Sequence, residues 1–275
     1  METSWKSKVA KELVEISVPI TEYHQNTENQ LEWLKRKVGK RHQGINDIVL
    51  LRKSLDARKR RIKYNLRLEV YTNDDYLENL KMPTFPELDN SKKVHIVGFG
   101  PAGIFAAFQC LLQGIKPIVI ERGKAVKERR RDVAKLNRNG IMDPESNYCF
   151  GEGGAGTFSD GKLYTRSLKR GKIKDILELL VLHGASDNIL YEAHPHIGTN
   201  KLPGIIEKLR ETIIKQGGEV RFESKMTSFT LNQNKVETIE INNFSQECDS
   251  LVLATGHSAR DIYELLHENG IELEA

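Results

Sequence analysis

The stretch KVHIVGFGPAGIFAAFQCLLQGIKPIVIE, residues 93–121, carries the strongest pattern in this sequence. A short apolar strand over 93–97 runs into the glycine-rich turn GFGPAG, residues 98–103. A helical stretch follows as far as Gly114, and a second apolar strand ends at Glu121. A strand, a turn, a helix and a strand within about 30 residues form the unit from which parallel α/β sheets are built.

The spacing of the glycines in this turn matches the dinucleotide fingerprint G-x-G-x-x-G. Gly98 permits the tight turn, Gly100 lets a pyrophosphate approach the backbone, and Gly103 lets the helix pack closely on the strand. The first turn of the helix offers free N–H groups and a positive dipole end to an anion. Glu121, at the end of the second strand, is placed to accept hydrogen bonds from a ribose diol.

A long insertion separates Glu121 from the next strand of this sheet, predicted at 219–223. A simple nicotinamide-binding domain would reach its third strand sooner, so the insertion favours a different nucleotide. It contains a second glycine-rich loop, FGEGGAGTFSDG at 150–161, whose bare backbone could approach phosphates or a flat ring. The loop could equally be a surface connection, with Thr157, Ser159 and Asp160 as its polar groups.

The segment MPTFPELDNSKK, residues 82–93, is typical of a linker and divides the chain into two predicted domains. Residues 1–85 are predicted to form a small α+β module with the order β-α-β-β, and residues 92–275 a Rossmann-like domain with a parallel sheet. The predicted strands lie at 12–18, 46–55, 61–71, 93–97, 116–121, 219–223, 225–230, 235–241 and 248–253, and the further predicted helices at 27–38, 125–138, 201–216 and 259–269.

Composition sets limits on the class of protein. Of the 275 residues, 39% are apolar and 29% are charged, and these fractions are typical of a globular protein. The formal net charge is +4. Three separated cysteines exclude a disulfide framework, and no secretory signal is present, so we expect a cytoplasmic protein. No apolar run is long enough to span a bilayer, and we expect no membrane partner.

Several strings together resemble a known family: the bacterial FAD-dependent dehydrogenases of the glutathione-reductase-like flavoprotein superfamily. They occur in one order along the chain and extend the resemblance over most of residues 46–275. They are Ser54-Leu55-Asp56-Ala57-Arg58, GFGPAG (98–103), Glu121-Arg122-Gly123, Pro144-Glu145-Ser146-Asn147, FGEGGAGTFSDGKL (150–163), Pro195-His196-Ile197-Gly198-Thr199 and ATGHSARD (254–261).

The resemblance implies an FAD-binding oxidoreductase, with NAD(P)H as a candidate electron donor. It implies the pyrophosphate at the first glycine turn, the adenosine ribose at Glu121 and Arg122, and the adenine at the backbone of Met226. It also implies that the second glycine loop lies by the ribityl chain or the isoalloxazine, and that residues 254–256 close over the nucleotide. The implied cofactor residues are Gly98, Gly100, Pro101, Ala102, Gly103, Glu121, Arg122, Gly154, Ala155, Gly156, Thr157, Met226, Ala254, Thr255 and Gly256.

The family's chains run past residue 275 with a further strand and a segment that touches the ribityl phosphate, so the predicted FAD domain is incomplete at its C-terminus.

His257 and Arg260 are the catalytic candidates, as a proton carrier and an anion holder. Arg260 and Asp261 could instead cap and pair on the last helix. His194 and His196 lack further ligands at a suitable spacing, so we predict no metal site.

Two alternative functions remain open. Residues 52–67 carry eight basic side chains against Asp56 alone, which would suit a nucleic-acid or protein-binding module with a vestigial nucleotide fold. A solvated turn and strand face explains the same cluster, so a nucleic-acid partner is not favoured. The other alternative is an NAD(P)-dependent dehydrogenase that uses the same first turn. The substrate, a small molecule, is not identified by the sequence.

Overall fold

A computed structural model describes residues 11–39, 44–72, 79–159, 161–163 and 171–274. In chain order the elements are β1 (Lys11–Pro19), α1 (Ile20–Gln25), α2 (Gln30–Gly39), β2 (Ile45–Asp56), β3 (Lys63–Thr72), β4 (Asp89–Val97), α3 (Pro101–Leu112), β5 (Ile115–Ile120), α4 (Val126–Asn139), α5 (Ile173–Leu182), α6 (Leu202–Lys215), β6 (Glu219–Arg221), β7 (Met226–Asn232), β8 (Lys235–Ile241), β9 (Phe244–Glu247), β10 (Leu251–Leu253) and α7 (Arg260–Glu268), with short 3₁₀ turns at Gly154–Gly156 and Asp187–Leu190.

The chain divides into two compact units. The N-terminal unit comprises Met1–Lys81, Leu163–Leu182 and Ser186–His196, and the α/β unit comprises Met82–Lys162, His183–Ala185 and Ile197–Ala275. A compact unit is not the same as an independently folding domain, so the division into domains at 1–85 and 92–275 stays a prediction.

The N-terminal unit contains a three-stranded antiparallel sheet with the order β1-β3-β2. Its apolar core includes Trp33 and Leu34 of α2 and Leu66 and Leu68 of β3. The sequence predicts one helix between the first two strands, whereas the structure has two. The additional helix α1 has only six residues, too few to produce a helical period in the sequence.

The α/β unit is built on a four-stranded sheet with the order β6-β5-β4-β10, in which every pair is parallel. If the strands of this sheet are numbered in the order in which they occur in the chain, their order across the sheet is 3-2-1-4. This is the first half of a Rossmann fold together with the first strand of the second half. The predicted Rossmann-like α/β fold class is therefore confirmed.

A second, antiparallel sheet, β7-β8-β9, is inserted between β6 and β10. The strand predicted at 248–253 is present as β10, but it begins only at Leu251. Strand β9, which precedes it, was not predicted. Asn242 and Asn243 both have positive φ (49° and 69°) and form the tight turn that produces β9. Helix α5 was also not predicted, since a short apolar run does not distinguish a helix from a strand.

One hydrophobic cluster joins the two sheets of the α/β unit. Val97 and Ile120, at the carboxyl ends of β4 and β5, pack with Met226, Phe229 and Ile239 of the antiparallel sheet. Between β4 and β10 the order of the sheet reverses, and in folds of this kind ligands bind in the crevice outside such a point.

Candidate functional site

The first glycine turn leaves β4 at this crevice. Gly98 has φ +103°, and a Cβ atom there would lie 2.5 Å from the carbonyl oxygen of Ala254, so the turn packs directly on the segment after β10. A Cβ atom on Gly103 would lie 1.9 Å from the carbonyl oxygen of Gly98. Both positions therefore require glycine for the fold itself.

Gly100 differs from these two glycines. It is the N-cap of α3 with an ordinary φ of −78°, and Pro101 follows in the first turn. A Cβ atom on Gly100 would meet only the Cα atom of Gly154, at 3.7 Å, which is an ordinary contact. Since packing does not require glycine here, its missing side chain leaves open space beside the amides that begin the helix.

The carboxylate of Glu121 is held by three backbone amides. Oε2 accepts the N–H of Phe99 at 2.8 Å, and Oε1 accepts those of Gly123 at 2.8 Å and Gly151 at 2.9 Å. The side chain is 4% exposed. Glu121 thus ties the first glycine turn, its own turn and the second glycine loop together, a role that the sequence did not indicate.

The second glycine loop lies against the first. The N–H of Gly153 donates to the carbonyl oxygen of Phe99 at 2.8 Å, and Gly154 faces Gly100. Thr157 is fully buried, and its hydroxyl donates to the carbonyl oxygen of Glu152 at 2.7 Å. The loop is therefore part of the wall of the crevice rather than a free surface connection.

Arg129 of α4 fixes this loop from behind. The fully buried guanidinium donates to four carbonyl oxygens and one hydroxyl, those of Asn147, Tyr148, Gly151, Glu152 and Thr157. Burial lowers its pKa to about 10, so it remains charged at neutral pH. Its position could have been inferred, because Val126, Arg129 and Val133 share one helical face and both valines are apolar.

Glu152 is a buried acid within the loop. Its Oε2 accepts the N–H of Val126 and a guanidinium N–H of Arg210, each at 2.7 Å, while Oε1 has no partner among the described residues. Burial raises the pKa of Glu152 to about 7, because the charged form is poorly solvated there. Nothing in the sequence distinguishes this glutamate from an exposed one.

Charged side chains form a network at one edge of the crevice. The guanidinium of Arg122 donates twice to Asp261 (3.0 and 2.8 Å) and once to Glu145, and it lies over the ring of Phe150 at 4.3 Å. Lys225 contacts the same two carboxylates at 3.0 and 3.2 Å. Against the opposing effect of burial, the bonds from Arg122 and Lys225 lower the pKa of Asp261. Asp261 thus pairs across the crevice edge rather than along the last helix.

These elements enclose a cavity of about 500 Å³ in the α/β unit, a size within the range of small-molecule sites. Most residues implied by the sequence resemblance line it. They are Gly98, Gly100, Pro101, Ala102, Glu121, Arg122, Gly154, Ala155, Gly156, Met226, Ala254, Thr255 and Gly256. Gly103 and Thr157 do not line the cavity; they pack behind its wall.

The two catalytic candidates are placed differently. His257 lines the cavity and is exposed, whereas Arg260 is exposed at the start of α7 and does not line the cavity. Sequence reasoning did not assign Cys149, Ser224 or Lys225 to the cavity, although all three line it.

Among the residues that the structure describes, there is no group of three His, Cys, Asp or Glu side chains that could hold a metal ion. Within the same residues, no helix is long and apolar enough to cross a bilayer.

Comparisons with known proteins give partial likenesses. Residues 3–71 match the model of a family described as a domain of unknown function, DUF8436. An uncharacterized protein from Clostridium beijerinckii is 36% identical over 280 residues, covering 94% of this chain and 52% of that protein. The chain thus spans about half the length of the curated relative that it matches.

Similar solved structures have low identity to this chain. THI4 from Thermovibrio ammonificans is 19% identical with a TM-score of 0.44, covering 66% of this chain and 64% of that chain. L-proline dehydrogenase from P. horikoshii is 11% identical with a TM-score of 0.37, covering 69% and 57%. Glycine oxidase from Bacillus cereus is 14% identical with a TM-score of 0.34, covering 66% and 58%.

Proposed function

We propose that the α/β unit binds FAD and is the nucleotide-binding part of a flavin-dependent dehydrogenase whose substrate is still to be identified. One observation carries the proposal. Two separate glycine loops and the turn at 254–256 line a single cavity at the point where the order of the parallel sheet reverses. An extended dinucleotide needs such a site, because its diphosphate and its flat rings both require close approach to the backbone.

The diphosphate would lie at the N-terminus of α3, in the space that Gly100 leaves open. The N–H groups that begin the helix supply donors and a positive dipole end for it. The second glycine loop would lie by the ribityl chain or the isoalloxazine, the backbone of Met226 by the adenine, and residues 254–256 over the nucleotide.

The contacts of Glu121 limit what it offers to the adenosine ribose. An ionised carboxylate has about four acceptor positions, and backbone amides occupy three of them. One position, on Oε2, is left for a single ribose hydroxyl. We therefore infer that Glu121 accepts one hydrogen bond from the ribose rather than two, with Arg122 beside it.

Bound FAD would supply the hydride or electron transfer of the reaction, and the protein would bind, orient and exchange protons. His257 is the ionisable side chain at the cavity that we propose for proton exchange with solvent, because it is both exposed and part of the lining. Arg260 is retained as a candidate for holding an anionic substrate near the entrance. NAD(P)H is the proposed electron donor.

The direct test is the visible spectrum of the purified protein, followed by titration of the apoprotein with FAD and, separately, with NADH. Gly100→Ala adds one methyl group at a position where the fold has room for it. Gly204→Ala is the matched control, since a Cβ atom there meets nothing within 4 Å and Gly204 does not line the cavity. We expect Gly100→Ala to weaken FAD binding by about tenfold or more, and Gly204→Ala to leave it unchanged.

A colourless protein that takes up no FAD would overturn the proposal. Equal FAD affinity in Gly100→Ala and the wild type would refute the placement of the diphosphate beside Gly100. Uptake of NADH with no uptake of FAD would instead support the NAD(P)-dependent dehydrogenase. Salt-sensitive binding of nucleic acid by Arg58–Arg61, with no nucleotide uptake, would support the alternative binding module.

A further inference from the structure

Helix α4 presents a strongly cationic face. Its buried side contains Val126, Arg129, Asp132 and Val133. Its exposed side chains include one acid, Glu128, and five cations: Lys127, Arg130, Arg131, Lys135 and Arg138. Among the described residues, no carboxylate lies within 4.0 Å of any of these five, so the charge of the face is not neutralised by ion pairs.

The stability of the helix does not explain this arrangement. Lys127 lies in the first turn, where the helix dipole disfavours a cation. Two pairs of like-charged side chains lie four residues apart on this helix, and such pairs destabilise a helix. They are Lys127 with Arg131, and Arg131 with Lys135. Lys127, Arg131 and Lys135 therefore weaken the helix that carries them, whereas Arg138 lies in the last turn, where the helix dipole favours a cation. The three unfavourable cations indicate that this face serves contact with something anionic.

Apolar side chains follow the cations directly. The helix ends at Gly140, whose φ of 68° closes the last turn, and the next two residues, Ile141 and Met142, are each 60% exposed. Tyr148 is 43% exposed, and its hydroxyl bonds to the side chain of Asn137 at 2.9 Å, which keeps the ring beside the end of the helix. We name the five cations together with Ile141 and Met142 the α4 surface.

Contrary to the sequence-based expectation of no membrane partner, we propose that the α4 surface docks this protein on an anionic lipid bilayer. Basic clusters on a helix attract the phosphates of anionic lipids, and exposed Ile and Met side chains can enter the boundary between headgroups and acyl chains. A membrane contact of this kind uses two weak attractions together and requires no spanning segment. A nucleic-acid backbone would be served by the cations alone, and it would leave Ile141 and Met142 in water.

The test is sedimentation of the full chain with vesicles of phosphatidylcholine, alone or with about a third phosphatidylglycerol. We expect binding only to the anionic vesicles, and loss of binding when the salt is raised from about 0.05 M to about 0.5 M. Arg131→Gln with Lys135→Gln should weaken binding by about 25-fold, since each cation near an anionic surface contributes about fivefold. The double variant Ile141→Ser, Met142→Ser keeps the charge and should weaken binding by about tenfold or more.

Lys215→Gln with Lys235→Gln is the charge-matched control, because it removes two exposed cations of the α/β unit, at the end of α6 and the start of β8. It should change vesicle binding by less than about twofold. Absence of binding to anionic vesicles would overturn the proposal, and so would equal loss in the control. If the Ile141, Met142 variant bound vesicles like the wild type while an oligonucleotide competed with them, the α4 surface would be a polyanion site and the lipid proposal would be wrong.

Discussion

Replacing Glu121 by glutamine should destabilise the α/β unit even when no ligand is bound. The carboxylate accepts N–H groups from three separate turns, two on Oε1 and one on Oε2. The glutamine side chain has only one oxygen. In the orientation that keeps more bonds, this oxygen accepts the N–H groups of Gly123 and Gly151, and the amide NH₂ group then faces the N–H of Phe99. Two donors then face each other in a buried place.

The size of the effect follows from these bonds. Loss of an acceptor for one buried N–H costs about 1–3 kcal/mol. The two remaining bonds change from charge-assisted to neutral, which costs about 1 kcal/mol more. We expect the free energy of unfolding to fall by roughly 2–4 kcal/mol, and at about 2–4 °C per kcal/mol for a domain of this size the melting temperature falls by roughly 5–15 °C.

Calorimetry of the apoprotein measures the melting temperature directly. Glu247→Gln is the matched control, because it makes the same chemical change at an exposed position of β9. The control should melt within about 1 °C of the wild type, since exposed substitutions rarely change stability by more than about 0.5 kcal/mol. If Glu121→Gln behaved like the control and reduced only FAD affinity, Glu121 would act on the ligand and not on the loops, and the reasoning would be refuted.

Two further predictions concern the second glycine loop. A lysine has too few donors for the five acceptors that the guanidinium of Arg129 serves. We therefore expect Arg129→Lys to lower the free energy of unfolding in urea by about 2–5 kcal/mol, whereas the control Arg131→Lys should leave it nearly unchanged. A small loss in Arg129→Lys would show that the loop does not depend on this side chain. Glu152, with a folded pKa of about 7, keeps its proton in the folded protein after the unfolded chain has released it. Stability should therefore fall as pH rises from about 4.5 to about 7, by at most about 3 kcal/mol, and then level off. Glu152→Gln should remove this component, and an identical pH dependence of unfolding in the variant and the wild type would contradict it.

Much of the crevice could be predicted from local sequence. The turn at 98–103 encodes its own geometry, since Gly98 needs positive φ and Gly103 has no room for a side chain. The carboxyl ends of parallel strands meet at one edge of a sheet, so the strand pattern places the turn at 254–256 at the same edge as the first glycine turn. That the two turns are neighbours follows only from the pairing of β10 with β4.

The buried charges behind the crevice could not be predicted in the same way. Glu121 was assigned to a ligand because its position matches a fingerprint, but its amide partners come from three turns that only the tertiary fold brings together. Glu152 is buried for the same reason, in a loop with no regular period. Local patterns specify turns and strands, whereas the partners of a charge depend on contacts between distant parts of the chain.

Two glycine loops and the turn at 254–256 line the cavity, and the side chains that fix these loops, Glu121 and Arg129, bond to backbone groups of the protein itself. The entropy of ordering these loops is thus lost during folding and not at the moment of association. A ligand that binds to such preorganised loops causes little change in the backbone, so no loop rearrangement limits its association rate.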